Sequence, residues 1–369
     1  MSAITNHEAP SRKYSVAEIS AAVKEAALAA GFELAGMTPV RDFAELAYFP
    51  EWIASGRAGE MKYMEARHEN GQLKRSSLAS TFPWARSVIV CAINYNCSQP
   101  YSTEVHDPER GWISRYAWSA KDYHEVVLGK LKLVENRLCE MGGPNLISRC
   151  YVDTGPLVER VYAKYAGVGW IGKNTCIINQ KLGSWLFLGV IVTSLELTTD
   201  LPAPDRCGSC TRCIDACPTD ALVEPYQLDA NRCISYLTIE KRGAIPDELR
   251  EGMGRHVFGC DICQDVCPWN RKAPMTHAPE FEVREELVNP ALAWLSEMTG
   301  EEFRRVFRGS PVKRAKLTGL RRNAVIAMGN SGNSGFVPKL EKLTEDDDPI
   351  VAESARMAKA QLSKPKREG

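Results

Sequence analysis

The chain of 369 residues is longer than one ordinary hydrophobic core requires, so its length predicts two or three domains. Its formal net charge is zero, which excludes a whole-molecule attraction to nucleic acid and requires any such site to be a local patch. No run of about 18 apolar residues is present, so we predict no membrane span. The first 15 residues lack the apolar segment of a signal peptide, and we expect a cytoplasmic protein.

Helices and strands are mixed up to about residue 200. Ser15 and Glu18 form a capping-box pattern ahead of a helix that Gly31 ends. Three segments of β-branched and apolar residues are predicted strands, at 87–95, 146–153 and 185–197. This mixture favours an α+β or α/β domain, and the Pro-rich segment TTDLPAPDR marks its end.

The cysteine-rich segment that follows contains a complete iron–sulfur motif, CGSCTRCIDACP. Cys207, Cys210, Cys213 and Cys217 have the C-x2-C-x2-C-x3-C-P spacing of bacterial two-cluster ferredoxins. Three cysteines in a tight loop bind one 4Fe-4S cluster, and the fourth points away to the other cluster. We therefore assign the first three to cluster one and Cys217 to cluster two.

A second motif, CDICQDVCP, is one cysteine short. By the same logic Cys260 and Cys263 bind cluster two, and Cys267 returns to cluster one. A complete motif would have its first cysteine at 257, where the chain has Val257, and Cys233 lies between the two motifs. We therefore predict Cys233 as the missing ligand of cluster two. A pair of tetrahedral zinc sites is the alternative, but two C-x3-C-P spacings favour clusters.

Three other motifs match known sites incompletely. GVGWIGKN (167–174) follows a predicted helix rather than a strand, so we reject a nucleotide-binding loop. VDTG (152–155) has no second copy to form an aspartic-protease pair. DYHEVVLG (122–129) resembles a cobalamin-ligand motif with its glycine displaced, and we prefer a helix start. Five cysteines remain: Cys91, Cys97, Cys139, Cys150 and Cys176. We interpret most of them as small core residues.

The C-terminal part is predicted to be helical. The segments 321–330 and 351–360 share alanines 31 residues apart, which indicates short helical repeats, with a plain helical hairpin as the alternative. From 304 to 322 the chain has eight Lys or Arg residues and no acid. Such a run favours contact with an RNA backbone, and a solvated helix face is the alternative.

Taken together, the motifs resemble those of one family. SRYAW with KDYH (114–124), VDTGP (152–156), GVGWIGKN and GSWLFLG (183–189) precede the two cysteine motifs, and a helical tail follows. This pattern closely resembles the epoxyqueuosine reductases, cobalamin-dependent enzymes of queuosine biosynthesis that are related to corrinoid reductive dehalogenases. The resemblance is weakest before residue 56 and after residue 290.

The resemblance implies reduction of the epoxide of epoxyqueuosine to the alkene of queuosine, at the wobble position of the Tyr, His, Asn and Asp tRNAs. It implies a base-off cobalamin, supplied with electrons through two 4Fe-4S clusters by an external donor of flavodoxin or ferredoxin type. The implied architecture is a cobalamin-binding catalytic domain (1–200), a ferredoxin-like domain (201–285) and a HEAT-like tRNA-binding region (286–369). We expect a monomer.

The resemblance also assigns roles to individual residues. Asp153 matches the general acid that protonates the oxygen of the opening epoxide. The expected cobalamin contacts are Met61, Tyr63, Tyr116, Asp153, Ile177, Ile178, Asn179, Leu188, Ser235 and Gln264. Arg242 matches a position near the tRNA, and with the basic run it gives the expected tRNA contacts Arg242, Arg304, Arg305, Arg308, Lys313, Arg314, Lys316, Arg321 and Arg322.

Two other functions are open. A corrinoid reductase of the dehalogenase type would use the same relay, but those enzymes carry a twin-arginine leader and lack a basic helical tail. An electron carrier without chemistry of its own would need neither a corrin site nor an acid, so its electron transfer would not depend on Asp153.

Overall fold

The computed structural model describes residues 13–363. Most of the segment from which we predict the absence of a signal peptide lies outside the described residues, as does the end of the predicted tRNA-binding region. Within 13–363, no helix is both long and apolar enough to cross a membrane.

The first part of the chain contains seven strands and five helices. The strands are β1 (Leu34–Pro39), β2 (Ser87–Asn94), β3 (Trp112–Ile113), β4 (Ser148–Tyr151), β5 (Trp170–Ile171), β6 (Ile177–Ile178) and β7 (Leu186–Thr193). The helices are α1 (Val16–Ala29), α2 (Ala44–Ala54), α3 (Leu78–Thr81), α4 (Tyr123–Gly142) and α5 (Glu159–Tyr165). The predicted capping box of α1 and the three predicted strands are confirmed.

The four longer strands form one antiparallel sheet in the order β1-β2-β7-β4. Antiparallel pairing makes this domain α+β, which decides between the two predicted classes. Because side chains alternate along a strand, β2 presents Ile89 and Cys91 to α1 and α4, and Val88 and Val90 to α5. With helices on both faces, the whole of β2 is buried.

The cysteine-rich part consists of short elements. They are α6 (Arg212–Asp215), β8 (Leu222–Glu224), β9 (Gln227–Leu228), α7 (Ile234–Ile239), α8 (Asp247–Arg250), β10 (His256–Phe258) and α9 (Ile262–Asp265). Strand β10 pairs in parallel with β3, so the cysteine-rich part and the first domain share a small sheet. The predicted domain boundaries at 200 and 285 stay predictions.

Five helices follow: α10 (Leu292–Ser296), α11 (Gly300–Val306), α12 (Lys316–Asn330), α13 (Val337–Leu343) and α14 (Pro349–Leu362). The four alanines of the predicted repeat are buried where α12 and α14 meet. The helices approach so closely that a Cβ on Gly329 would lie 2.9 Å from the Cα of Ala358. This contact explains the small residues of both segments, and the assignment to HEAT-like repeats stays a prediction.

Arg322 joins α12 to the cysteine-rich part. Its side chain is 1% exposed and donates hydrogen bonds to the backbone carbonyls of Leu237 (2.7 Å), Gly243 (2.6 Å) and Lys241 (3.0 Å). Burial lowers the pKa of its guanidinium to about 10.

We expect Arg322→Ala to destabilise the protein by about 3 kcal/mol or more, because it leaves buried carbonyls without donors. Arg308→Ala, at an exposed position, should change stability by less than about 0.5 kcal/mol. Thermal unfolding of both variants measures the difference. An equal melting temperature for the two would contradict the anchoring role of Arg322.

Candidate redox and active site

The cysteines of the two motifs lie in two groups. In the first group, burial raises the pKa of Cys213 to about 11, and the thiols of Cys207 and Cys210 add to the increase. Burial also raises the pKa of Cys267 to about 11, and Cys207 and Cys213 are again among its neighbours. These four cysteines, Cys207, Cys210, Cys213 and Cys267, are named set one below.

The second group, set two, contains Cys217, Cys233, Cys260 and Cys263. Burial raises the pKa of Cys260 well above its ordinary value, with Cys233 and Cys217 contributing. Cys233 lies outside both motifs, immediately before α7, and tertiary folding brings it close to Cys260. Ligand thiols must lose their protons, so bound iron would offset the cost of ionising these buried groups.

Cys176, in the turn before β6, also lies at set two. A hydrogen bond with Cys263 holds the pKa of Cys176 below its ordinary value. The sequence gives no signal for this contact because no metal-ligand spacing links the two cysteines. Within residues 13–363, no group of three or more His, Cys, Asp or Glu side chains is arranged to hold a single metal ion.

Set one also has a buried hydrogen-bond donor beside it. Trp170 packs in one apolar cluster with Cys267 and Cys207, and its ring lies edge-on to Trp269 with centroids 5.0 Å apart. Its indole Nε1 is buried and has no acceptor among the described residues. A cluster sulfide would supply such an acceptor, so the residues around set one fit an iron–sulfur cluster.

Asp153 follows β4 and has a positive φ of 56°. The hydroxyl of Tyr123 donates to its Oδ2. His124 places Nε2 4.0 Å from the same oxygen, and its Nδ1 lies 2.7 Å from Oδ1 of Asp122. Asp122, the N-cap of α4, therefore orients the imidazole toward Asp153.

Sequence reasoning missed Tyr123 and His124 as partners of Asp153, and Asp122 as the residue that orients His124. The DYH segment is the predicted helix start, and it also supplies Asp122, Tyr123 and His124 to the site. Although burial acts in the opposite direction, hydrogen bonds from His124 hold the pKa of Asp122 below its ordinary value. Burial raises the pKa of Tyr123, and the adjacent Asp153 adds to the increase.

Tyr116 connects the acid to set two. Its ring centroid lies 5.8 Å from that of Tyr123 and 6.0 Å from that of Phe258, which is two residues before Cys260. A Cβ on Gly259 would lie 3.5 Å from the Tyr116 ring, so the backbone before Cys260 approaches this tyrosine closely. The acid and set two are thus neighbours in one region.

The other expected cobalamin contacts are distributed around this region. Met61 packs against the same apolar cluster as Cys233 and Cys260, and Gln264 donates to the carbonyl of Ser184 at 2.9 Å. Ile178 is 1% exposed and packs in one apolar cluster with Cys267 of set one, which does not test the expected contact through the backbone of 177–179. The other expected cobalamin contacts also stay predictions: Tyr63, Ile177, Asn179, the half-buried Leu188 and Ser235.

The basic run is only partly available to RNA. The prediction that Arg322 contacts tRNA is wrong, because its guanidinium is enclosed by backbone carbonyls. Arg321 is largely covered too: it pairs with Asp346 and donates to the carbonyl of Ser296 at 2.8 Å. Arg314 pairs with Glu240 and lies 5.2 Å from the ring centroid of Tyr63. The exposed members of the run are Arg304, Arg305, Arg308, Lys313, Arg314 and Lys316.

Fold and site together define a protein of the two-cluster iron–sulfur class, whose α+β domain is linked from Asp153 to set two through the aromatic side chains of Tyr123 and Tyr116. The model described as "4Fe-4S double cluster binding domain" matches residues 206–270, which favours clusters over zinc. The model described as "Epoxyqueuosine reductase QueG, DUF1730" matches residues 75–154.

Proteins that match most of the chain indicate the same family. The chain is 38% identical over 348 residues to the epoxyqueuosine reductase of Xanthomonas campestris, covering 93% of this chain and 96% of that protein. It is 45% identical over 275 residues to that of Synechocystis, covering 74% and 91%. A crystal structure of epoxyqueuosine reductase with an epoxyqueuosine-modified tRNA-Tyr stem loop superposes with a TM-score of 0.84 at 32% identity, covering 95% and 92%. The chain belongs to the epoxyqueuosine reductase family.

Glu159, the first residue of α5, is a further carboxyl near the acid. Its Oε1 is shielded from solvent and has no partner among the described residues. Burial raises its pKa to about 8, and Asp153 adds to the increase, against the cations Arg75 and Arg160.

We expect this group to make stability depend on pH. Between the unfolded pKa of 4.5 and the folded value of about 8, the folded state holds the proton and the unfolded state does not. The stabilisation is complete below the lower value and is lost as pH rises through the upper one. Glu159→Gln should therefore gain melting temperature relative to the parent between about pH 5 and about pH 9. Exposed Glu301→Gln is the control, and a pH-independent difference for Glu159→Gln would contradict the assignment.

Proposed function

We propose that the protein reduces epoxyqueuosine to queuosine in tRNA, as its family name indicates. The observation that carries the proposal is the series of contacts that runs from Asp153 through Tyr123 and Tyr116 to Phe258, two residues before Cys260 of set two. The reaction consumes two electrons and two protons, and it converts the epoxide into an alkene and one water molecule. It therefore needs an electron path and an acid in one place.

Set one is proposed to bind cluster one, and set two to bind cluster two. A base-off cobalamin is proposed to lie between the α+β domain and set two, with Met61, Tyr116 and Gln264 among its contacts. Tyr116 supports this position because it lies between the acid and set two. Reduced cobalt would supply the strong nucleophile or electron donor that opens a strained epoxide.

The protein's own residues manage the protons. Asp153 donates a proton to the oxygen of the opening epoxide, and Tyr123 holds the carboxyl in place. His124, oriented by Asp122, is positioned to return a proton to Asp153 for the second protonation. A positioned acid of this kind contributes about 10²–10⁴-fold to such steps.

The tRNA is proposed to lie along the C-terminal helices. The exposed members of the basic run, with Arg242, are proposed to contact the phosphates of the Tyr, His, Asn and Asp tRNAs. The remaining parts of the proposal are a HEAT-like C-terminal region, a cytoplasmic monomer, and an external electron donor of flavodoxin or ferredoxin type.

We expect Asp153→Asn to lower single-turnover reduction of the modified nucleoside by about 10²–10⁴-fold. Asparagine also tolerates positive φ, so this variant removes the acid and keeps the backbone. The measurement is loss of one oxygen mass from the nucleoside, with reconstituted, anaerobically reduced protein and equal tRNA binding. Asp347→Asn, at an exposed position, is the control. Full turnover in Asp153→Asn would reject this acid.

We expect Cys233→Ala to lose about half of the iron and acid-labile sulfide, because cluster two needs four thiolates. Cys176→Ala should keep both clusters, although its thiol contacts Cys263. Iron and sulfide are quantified after anaerobic reconstitution. The opposite pattern would make Cys176 the eighth ligand.

A further inference from the structure

The loops around the two cysteine sets differ in their exposure. Between 205 and 212, every residue other than Cys207 and Cys210 is exposed. The segment 256–267 contains Cys260 and Cys263 of set two and Cys267 of set one, and none of its residues is exposed. Electrons from another protein must enter at a redox centre close to the surface, and the exposed loop 205–212 favours set one as that centre.

Basic side chains surround this point of entry. Five are exposed and the sixth, Lys173, is half-buried. None of the six takes part in an ion pair within residues 13–363. We name this group the set-one surface: Lys173, Lys181, Arg206, Arg212, Arg271 and Lys272. Four exposed acids lie in the adjoining segment 205–224, namely Asp205, Asp215, Asp220 and Glu224, and Asp220 is paired with Arg232, so positive charge dominates.

Tertiary contacts join the three segments that carry these residues. Lys173 donates to the carbonyls of Gly208 (2.7 Å) and Cys210 (3.0 Å), which places it over the set-one loop. Trp269 packs against Trp170, and a Cβ on Gly183 would lie 3.2 Å from the carbonyl oxygen of Trp269. The basic side chains of 173–181, 206–212 and 271–272 therefore belong to one face around set one.

We propose that the set-one surface docks a small, acidic, low-potential one-electron carrier protein. This inference rests on the proposed function, which requires an external donor, and it adds the docking site and the charge of the partner. Each encounter would oxidise the carrier by one electron and reduce cluster one by one electron. Two encounters supply the electrons that one epoxide consumes. An RNA backbone would also favour positive charge, but the position at the entry loop favours a carrier.

The test compares charge reversal on this surface with charge reversal elsewhere. Arg212→Glu and Lys272→Glu are made singly and together, and Lys342→Glu, exposed on α13, is the matched control. Cluster reduction is followed by visible absorbance under anaerobic conditions, with a reduced acidic ferredoxin as the donor. Reduced methyl viologen, a small cation that needs no docking, is the reference donor.

We expect the double variant to slow ferredoxin-driven cluster reduction by about tenfold or more at low salt, and the difference to shrink as salt is added. The methyl viologen rate should not fall in the double variant, because the added carboxylates do not repel a cationic donor, and Lys342→Glu should leave the ferredoxin rate unchanged. An unchanged ferredoxin rate in the double variant would overturn the proposal. Weaker tRNA binding together with an unchanged ferredoxin rate would reassign the surface to RNA. Because the readout is cluster reduction, the result does not depend on whether epoxyqueuosine is the substrate.

Discussion

One buried carboxylate, that of Asp261, fixes the first domain to the cluster-two loop. It lies between Cys260 and Cys263 and is 1% exposed. It accepts hydrogen bonds from Trp112 Nε1 (3.0 Å), from the hydroxyl of Ser114 and from the backbone N–H of Arg115 (2.8 Å). A buried carboxylate is costly unless its oxygens are satisfied, and here the α+β domain satisfies them. The position of Tyr116 relative to set two follows from these bonds.

Arg115, whose backbone N–H donates to Asp261, is itself held in place within the first domain by its side chain. Its guanidinium lies 5.0–5.3 Å from the ring centroids of Tyr101, Trp118 and Trp185, and donates to the carbonyls of Cys97 and Gln99. Arg322 and Asn323 hold α12 in a comparable way, with Asn323 donating to the carbonyls of Thr238 and Val257. The three parts of the chain are therefore joined by buried polar groups, and losing one partner leaves the others unsatisfied. Such junctions suit an electron relay, because its centres must keep constant separations.

Short-range sequence patterns predict the structural features that depend only on residues close together in the chain. The capping box of α1, the strand segments and the alternating assignment of the cysteines need only short-range spacing. The sequence does not predict contacts that join distant residues without a repeated pattern. Cys176 meets Cys263, Tyr123 meets Asp153, and Arg322 meets Leu237 only after the chain has folded. A count of positive residues therefore overestimates the surface available to RNA, because the sequence does not distinguish a buried arginine from an exposed one.

The acid is built differently from the relay. Asp153 is held by side chains, those of Tyr123 and His124, and its backbone has a φ of 56° that Asp adopts more readily than most residues. Its carboxyl is more exposed than that of Asp261, with a side chain 54% accessible. A nucleoside carried on a tRNA is bulky and must enter a site that stays open to solvent. In the proposed mechanism this arrangement separates two requirements: a rigid, buried path for electrons and an accessible acid at its end, where the substrate arrives.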